Sequence, residues 1–232
     1  MNRIAFTLED LQLEIAKTCA KGKIFQENVR LIAVSKRQSA AKIRQLAAQG
    51  QSEFAENQLQ EALDKMSQLT DLSVKWHFIG AIQSRKCKAI AEHFDWVQSV
   101  DREKLISKLN DARPTELSPL NVCIQLNYFD EPQKSGAKPN EVETLAKMIT
   151  EMPNLKLRGL MVLPPKQTTF SNQKQQFDEI NDFYQHLKQQ YPKMDTLSMG
   201  MSNDFQAAIL AGSTMIRVGT ALFGARQDTE LN

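Results

Sequence analysis

Lys36 closes the run Leu31-Ile-Ala-Val-Ser-Lys36, and a lysine at a strand end can do chemistry. Period-2 alternation places its side chain on the face of Ile32 and Val34. If that face lines an interior, the amine loses hydration and the neutral nucleophile needed for a Schiff base becomes accessible. A lysine reaching from the strand end into solvent accounts for the same pattern. The second constellation lies late in the chain. Gly200-Met-Ser-Asn-Asp204 leads into a helical stretch at Phe205–Ala211, and a glycine turn with a polar cap at a helix start suits an anion. Gly219-Thr220 adds a close backbone approach and a hydroxyl, so the two late loops suit a phosphate. Ordinary capping by Ser202 or Asn203 is the plainer reading. Arg217 sits inside the apolar run Met215-Ile-Arg-Val218, where a charge must meet solvent, a carboxylate or a ligand, an ion pair being the default. His77, in Trp76-His-Phe-Ile-Gly80, reads as a hydrogen-bonded core histidine. The His, Cys, Asp and Glu residues have no metal-ligand spacing, so no metal is expected. The G-x-S-x-G, Walker and Rossmann glycine motifs are missing, which removes the usual hydrolase, NTPase and dinucleotide readings.

These residues need a frame to hold them, and the frame is legible as alternation. Strands are predicted at Val29–Ser35, Glu53–Ala55, Trp76–Ile79, Trp96–Val100, Asn121–Asn127, Leu157–Leu163, Thr196–Met199 and Met215–Val218. Helices are predicted between them at Ala40–Ala48, Gln58–Leu69, Ser84–His93, Arg102–Leu109, Glu141–Thr150, Gln173–Tyr191 and Phe205–Ala211, with an amphipathic stretch, Leu8–Thr18, leading the first strand. Leu59, Ala62, Leu63, Met66 and Leu69 form a helical stripe. Pro139 suits a first helical turn and Pro153 a stop, while Gly50 and Gly212 sit where helices should end.

Strand–helix repeats of this kind make parallel βαβ units, which close into a barrel or spread into an open sheet. The doubly wound alternative announces itself by a glycine-rich turn after its first strand, but here that strand runs into Ser35-Lys36-Arg37-Gln38. The reading is therefore α/β, a single (β/α)8 TIM-type barrel with an extra N-terminal helix packed outside it, one domain over residues 1–232. The strand ends then collect Ser35-Lys36, Glu56-Asn57, Gly80, Asn127, Gly200-Met201-Ser202 and Gly219-Thr220 on the face where barrels place their sites.

Bulk properties agree. The 232 residues carry 29 Lys and Arg against 27 Asp and Glu, a formal charge of +2, with 41% apolar and 24% charged residues. That balance is globular, and the absence of a basic block argues against nucleic acid or a membrane surface as partner. No apolar run approaches the length of a membrane span, and Met1–Thr7 lacks the apolar core of a signal peptide. Cys19, Cys87 and Cys123 make no C-x-x-C pair and are expected as core residues of a cytoplasmic protein.

Several stretches, in order along the chain, carry a resemblance. They are Leu31–Lys36; Phe54-Ala-Glu-Asn57 with Gln60-Glu61; Trp76–Gly80 with Gln83 and Lys86; and Asn127 with Glu131, Lys134 and Gly136. Leu157-Arg-Gly-Leu-Met161, Leu197–Ser202 with Asp204, and Ile216-Arg-Val-Gly-Thr220 with Phe223-Gly224 complete the set. The chain resembles the pyridoxal phosphate homeostasis proteins, which look like the barrel domain of alanine racemase standing alone. The resemblance implies pyridoxal phosphate (PLP) as cofactor, bound as a Schiff base on Lys36. It implies Ser202, Gly219, Thr220 and Met201 at the phosphate, Arg217 near the pyridine ring or the phosphate, and Asn57 lining the pocket. An arginine at the pyridine nitrogen disfavours its protonation and makes the cofactor a poorer electron sink. The implied function is a PLP carrier that buffers or delivers the cofactor and affects vitamin B6 and amino-acid balance, without robust catalysis and with no residue in a catalytic role.

The sequence departs from that pattern at Ala55, where glycine is usual, at Ala81 and Arg85, where proline and asparagine are common, and at Asn203 and Gln206, where acidic residues are frequent. Ala55 and Arg85 are expected to reshape the mouth of the site. With eight residues after Gly224, the chain is expected to lack the β-rich second domain of alanine racemases, and of Tyr128, Tyr184 and Tyr191 only Tyr128 follows a strand end. A slow PLP-dependent amino-acid racemase or lyase is the alternative, and a Schiff-base aldolase acting on a sugar phosphate a more distant one. PLP-dependent apo-enzymes are the expected acceptors, and a monomer the expected state.

Overall fold

A computed structural model describes residues 7–224; the reading of Met1–Phe6 therefore lies outside the described residues. Helix α1 (Leu8–Gly22) leads. It is followed by β1 (Arg30–Val34), α2 (Ala40–Ala48), β2 (Glu53–Glu56), α3 (Leu59–Ser67), β3 (Lys75–Phe78), α4 (Cys87–His93), β4 (Trp96–Val100) and α5 (Glu103–Ala112). Next come β5 (Leu120–Leu126), α6 (Pro139–Glu151), β6 (Leu155–Val162), α7 (Phe170–Gln190), β7 (Thr196–Met201), α8 (Phe205–Leu210), β8 (Met215–Val218) and a short α9 (Thr220–Phe223). The strands pair in sequence order, all parallel, and β8 returns to β1 to close the barrel.

Closure follows from composition. Strands buried on both faces need apolar residues pointing both ways, and β1, β4 and β5 supply them. Ile32, Val34, Ala55, Trp96, Cys123, Met161 and Met215 pack together as a small lumen cluster. A much larger layer lies between strands and helices, where Phe54, Phe78, Val97, Leu160 and Leu197 meet Ile43, Ile90, Leu105, Ile149 and Ile180. Each such fully buried aliphatic side chain contributes about 1.5–3 kcal/mol. Helix α1 lies outside against α8, with Gln206 Nε2 donating to Glu14 Oε2 at 3.3 Å. Its start is fixed by a capping box in which Thr7 and Asp10 bond reciprocally.

Cys19, Cys87 and Cys123 are buried free thiols. Pro139 opens α6, and Gly50 and Gly212 follow α2 and α8 at φ 98° and 95°. Differences from the predicted spans are local. Helix α7 begins three residues earlier than predicted, because the Thr169 hydroxyl accepts from the Asn172 N–H at 3.2 Å and nucleates a first turn without apolar periodicity. The stretch predicted as one helix from Ser84 opens with a 3-10 turn, Ser84–Lys86, before α4.

Candidate functional site

Ile32 and Val34 face the lumen, as alternation requires, and Lys36 follows two residues beyond Val34, half-buried at the C-terminal rim. Its neighbours are held from behind the barrel wall. Lys65 on α3 is buried, and its Nζ donates to the Ser35 carbonyl at 2.8 Å, to Glu56 Oε1 at 2.7 Å and to Glu61 Oε1 at 2.6 Å. The Ser35 hydroxyl donates to Glu56 Oε1 at 2.6 Å, and the Arg37 N–H donates to Glu61 Oε1 at 2.5 Å. Arg37 sits at φ 60°, a left-handed conformation costing about 1 kcal/mol in a side-chain-bearing residue. The cluster thus fixes the backbone on both sides of Lys36. Burial pushes the Glu56 carboxyl up, against the hydrogen bonds from Lys65 and Ser35.

The loops after β7 and β8 are joined to each other. Ser202 Oγ accepts from the Ala221 N–H at 3.3 Å, which brings Ser202 to Thr220 and the start of α9. Gly219 lies against the end of β1: a Cβ there would stand 3.2 Å from the Val34 carbonyl oxygen. Thr220 is exposed. Met201 is 39% exposed, and its N–H is committed to Asp204 Oδ1 at 2.6 Å. Asp204 is raised by burial, partly offset by that bond. Asn57 follows β2, half-buried, and its backbone is crowded by β3: a Cβ at Gly80 would come 2.1 Å from the Asn57 carbonyl oxygen. Only glycine lets these two strand ends approach so closely.

Arg217 lies deeper, 3% exposed and opposite Ile32 in the β1–β8 register. The expected ion pair is replaced by neutral partners: Nη1 donates to Ser198 Oγ at 2.6 Å and Nη2 to the Val162 carbonyl at 3.0 Å. Burial pushes the guanidinium down to about 10. His77 is a hydrogen-bonded core histidine, as predicted, bonded to Glu53 Oε2 at 2.9 Å and Gln98 Nε2 at 3.0 Å. Lys36, Asn57, Ser202, Gly219 and Thr220 therefore belong to one rim, with Arg217 below it.

The departures fall unevenly. Ala55 is fully buried in the lumen cluster, and its carbonyl accepts from the Ser35 N–H at 3.0 Å, so its methyl fills lumen volume below the rim. Ala81 and Arg85 are exposed, Arg85 Nε donating to Gln83 at 3.1 Å. Tyr128, the tyrosine at a strand end, packs its ring against Phe129 and Phe183 at 5.0 and 5.9 Å. Among the described residues no His, Cys, Asp and Glu group is placed to hold a metal. Sequence reasoning missed the Lys65 cluster; its only signal was the i, i+4 spacing of Glu61 and Lys65.

The family "alanine racemase, N-terminal domain" matches residues 15–227. The pyridoxal phosphate homeostasis protein of Escherichia coli K12 is 44% identical over 229 residues, covering 97% of this chain and 98% of the relative. The chain belongs to the pyridoxal phosphate homeostasis protein family. The Pseudomonas aeruginosa protein of the same name is 45% identical over 226 residues, covering 97% of each chain. The structure of PipY from Synechococcus elongatus with PLP bound aligns with a TM-score of 0.78 at 37% identity, covering 90% of this chain and all of PipY.

Proposed function

We propose that this chain binds PLP at the C-terminal rim of the barrel and serves as an intracellular carrier and buffer of the cofactor, acting in vitamin B6 and amino-acid homeostasis. The observation that carries the reading is the junction of three loops. The lysine after β1 shares a rim with Ser202, Gly219 and Thr220, whose loops are tied together by the Ser202–Ala221 bond. The donor set fits the group: a primary amine for an aldehyde, hydroxyls and a glycine cradle for a phosphate, and a buried guanidinium for the ring or the phosphate. PLP, when bound, supplies an aldehyde open to reversible attack by an amine, and a ring that can accept electrons.

Lys36 is the proposed point of attachment, and its amine is aimed by a backbone that Lys65, Glu56 and Glu61 hold on both sides. Ser202 and Thr220 present hydroxyls to the phosphate, Gly219 admits it close to the chain, and Asn57 lines the opposite side. Met201 contributes its exposed side chain rather than its N–H, which Asp204 takes. Arg217, a cation that gives hydrogen bonds and accepts none, disfavours a proton on any ring nitrogen it faces. That weakens the electron sink and suits holding over turnover. We place the carrier in the cytoplasm as a single-domain monomer that hands PLP to apo-enzymes; no helix among the described residues is long and apolar enough to cross a membrane.

Borohydride reduction followed by peptide mapping tests the site: the expected result is a PLP-sized mass increase on the peptide holding Lys36. An unmodified Lys36 peptide would overturn it. Transfer to an apo-enzyme faster than release into buffer is expected of a carrier. A Lys36-dependent loss of optical purity in an amino acid, or keto-acid release, would instead establish the slow racemase or lyase.

A further inference from the structure

The barrel interior contains a continuous polar path that the cofactor reading does not use. Arg217 Nη1 donates to Ser198 Oγ at 2.6 Å, and Ser198 Oγ donates to Gln98 Oε1 at 2.7 Å. Gln98 Nε2 meets His77 Nδ1 at 3.0 Å, and His77 Nε2 meets Glu53 Oε2 at 2.9 Å. Glu53 Oε2 also accepts from Arg30 Nη2 at 2.6 Å, at the opposite mouth of the barrel. Ser198, Gln98 and His77 are fully buried.

The two ends decide every proton between them. A guanidinium can only donate and a carboxylate can only accept. Ser198 therefore accepts from Arg217 and gives its single proton to Gln98 Oε1. That fixes the amide orientation, so the Gln98 NH2 faces His77 and needs a lone pair on Nδ1. His77 then carries its proton on Nε2, toward Glu53. All four bonds run in one sense, from Arg217 to Glu53, and chains of this kind polarise one another in a dry interior.

The supports around the path keep this arrangement. Gln98 Nε2 also donates to Met215 Sδ at 3.2 Å, and the His77 ring stacks on Trp96 with centroids 5.2 Å apart and planes 15° apart. The Val162 carbonyl holds the other arm of Arg217. Glu53, Arg30 and Asp95 at the far end, and Asp204 and Cys123 near Arg217, are the charged or titratable groups acting on the path.

We infer that Ser198, Gln98 and His77 are positioning residues that hold the Arg217 guanidinium in one orientation beneath the PLP site, linking the cofactor to Glu53 at the other mouth. The inference rests on the PLP reading. It adds that cofactor retention and the proton state of the bound cofactor depend on residues in the barrel interior, away from the rim.

The test compares the PLP-loaded wild type with Ser198→Ala, Ser198→Thr, His77→Phe and Gln98→Glu, using the pH midpoint of the visible absorption band and the rate of PLP release. Removing the acceptor of a charged donor is expected to speed release about tenfold in Ser198→Ala. Ser198→Thr keeps a hydroxyl and should restore wild-type release. Gln98→Glu keeps the volume but adds negative charge to the path, so the midpoint should move up by about one unit. Ser198→Ala combined with His77→Phe should release PLP little faster than the more severe single variant, because each breaks the same chain. Folded Ser198→Ala and Gln98→Glu proteins with wild-type midpoints and release rates would overturn the inference while leaving PLP binding intact. A wild type that takes up no PLP would overturn the underlying reading instead. If Ser198→Ala does not fold, the isosteric Gln98→Glu midpoint decides alone.

Discussion

At the N-terminal mouth of the barrel, Arg30, Glu53, Trp96, Asn121 and Arg158 surround a groove of about 360 Å³, and their charges are paired, although Arg30 Nε is buried without a hydrogen-bond partner. Arg30 pairs with Glu53 at 2.6 Å, Arg158 is bidentate to Asp195 and donates to Asn121 at 2.7 Å, and both guanidiniums lie 4.4 Å from the Trp96 ring. The C-terminal mouth is built differently. Asn57, Ser202, Gly219 and Thr220 are small, polar or flexible, half-buried or exposed, and organised by backbone approach rather than by ion pairs. Charge at a strand end therefore does not mark function by itself. A mouth full of mutually paired charges closes the barrel, and the one that presents small hydroxyls and an amine is the one we propose for the ligand.

The comparison has one point where it should break most visibly. Lys65, Glu56 and Glu61 form an ion cluster at the C-terminal end, yet behind the wall rather than on the rim. Lys65→Met leaves Glu56, fully buried, without its cation, and such losses cost about 3–5 kcal/mol. Urea unfolding should show a drop of that size, together with faster PLP release as the backbone around Lys36 loosens. A change below about 1 kcal/mol would show that the cluster, unlike the opposite mouth, is not structural.

The next effect separates the two mouths by the sign of their pH dependence. Burial opposes ionisation of Glu53, but the hydrogen bonds from His77 and Arg30 outweigh it and hold the carboxyl at about 2, below its ordinary 4.5. Its contribution is present above pH 4.5 and is lost as the pH falls toward about 2, an effect of about 3 kcal/mol. Burial lowers His77 from 6.5, so acidification below that value also favours the unfolded chain, which takes up the proton. Glu56 and Asp204 run the other way: burial raises both, so their contribution is present at low pH and lost as the pH rises through the folded value. Glu53→Gln should therefore flatten the acid limb of a stability–pH curve measured by urea unfolding. An acid limb as steep as that of the wild type would place the acid sensitivity elsewhere.

A smaller effect belongs to Arg158→Lys. The change removes the bidentate fork to Asp195, a carboxylate whose side chain is 52% exposed, and exposed pairs contribute about 1 kcal/mol or less. Thermal unfolding should shift by a few degrees at most. A larger shift would mean that stacking on Trp96, rather than the ion pair, carries this mouth.

The fold was legible because its signals are local. Trp96–Val100 and Met215–Val218 match their predicted spans, and the glycines after α2 and α8 adopt the positive φ that a helix end favours. Lys36 was legible through alternation with Ile32 and Val34. The family stretches added Ser202, Gly219 and Thr220 as a set. What escaped sequence reading are the contacts between residues far apart in the chain. Ser198 and Gln98 meet across 100 positions, and Lys65 reaches back 30 positions to the Ser35 carbonyl. Lys65 looks like an ordinary solvated member of an i, i+4 pair, and only closure of β1 on β2 buries it. Arg217 drew an ion-pair expectation because a strand gives no sign that a serine on the next strand is its partner.

The smallest stability effect belongs where the proposed function is greatest. Thr220 is exposed at the start of α9, so Thr220→Val, which removes a hydroxyl and preserves shape, should change stability by about 0.5 kcal/mol or less. A hydroxyl bonded to a charged phosphate is worth about 1.5–3 kcal/mol, so PLP should be held at least about tenfold more weakly. The two numbers together make the test sharp. Cutting the Arg158–Asp195 pair at the N-terminal mouth, which lies off the path to Arg217, should cost stability and leave retention nearly unchanged, whereas Thr220→Val should do the reverse. Equilibrium dialysis of PLP beside urea unfolding measures both. If Thr220→Val retains PLP as tightly as the wild type, the phosphate is held by Ser202 and the backbone at Gly219, and the hydroxyl is a surface group like any other.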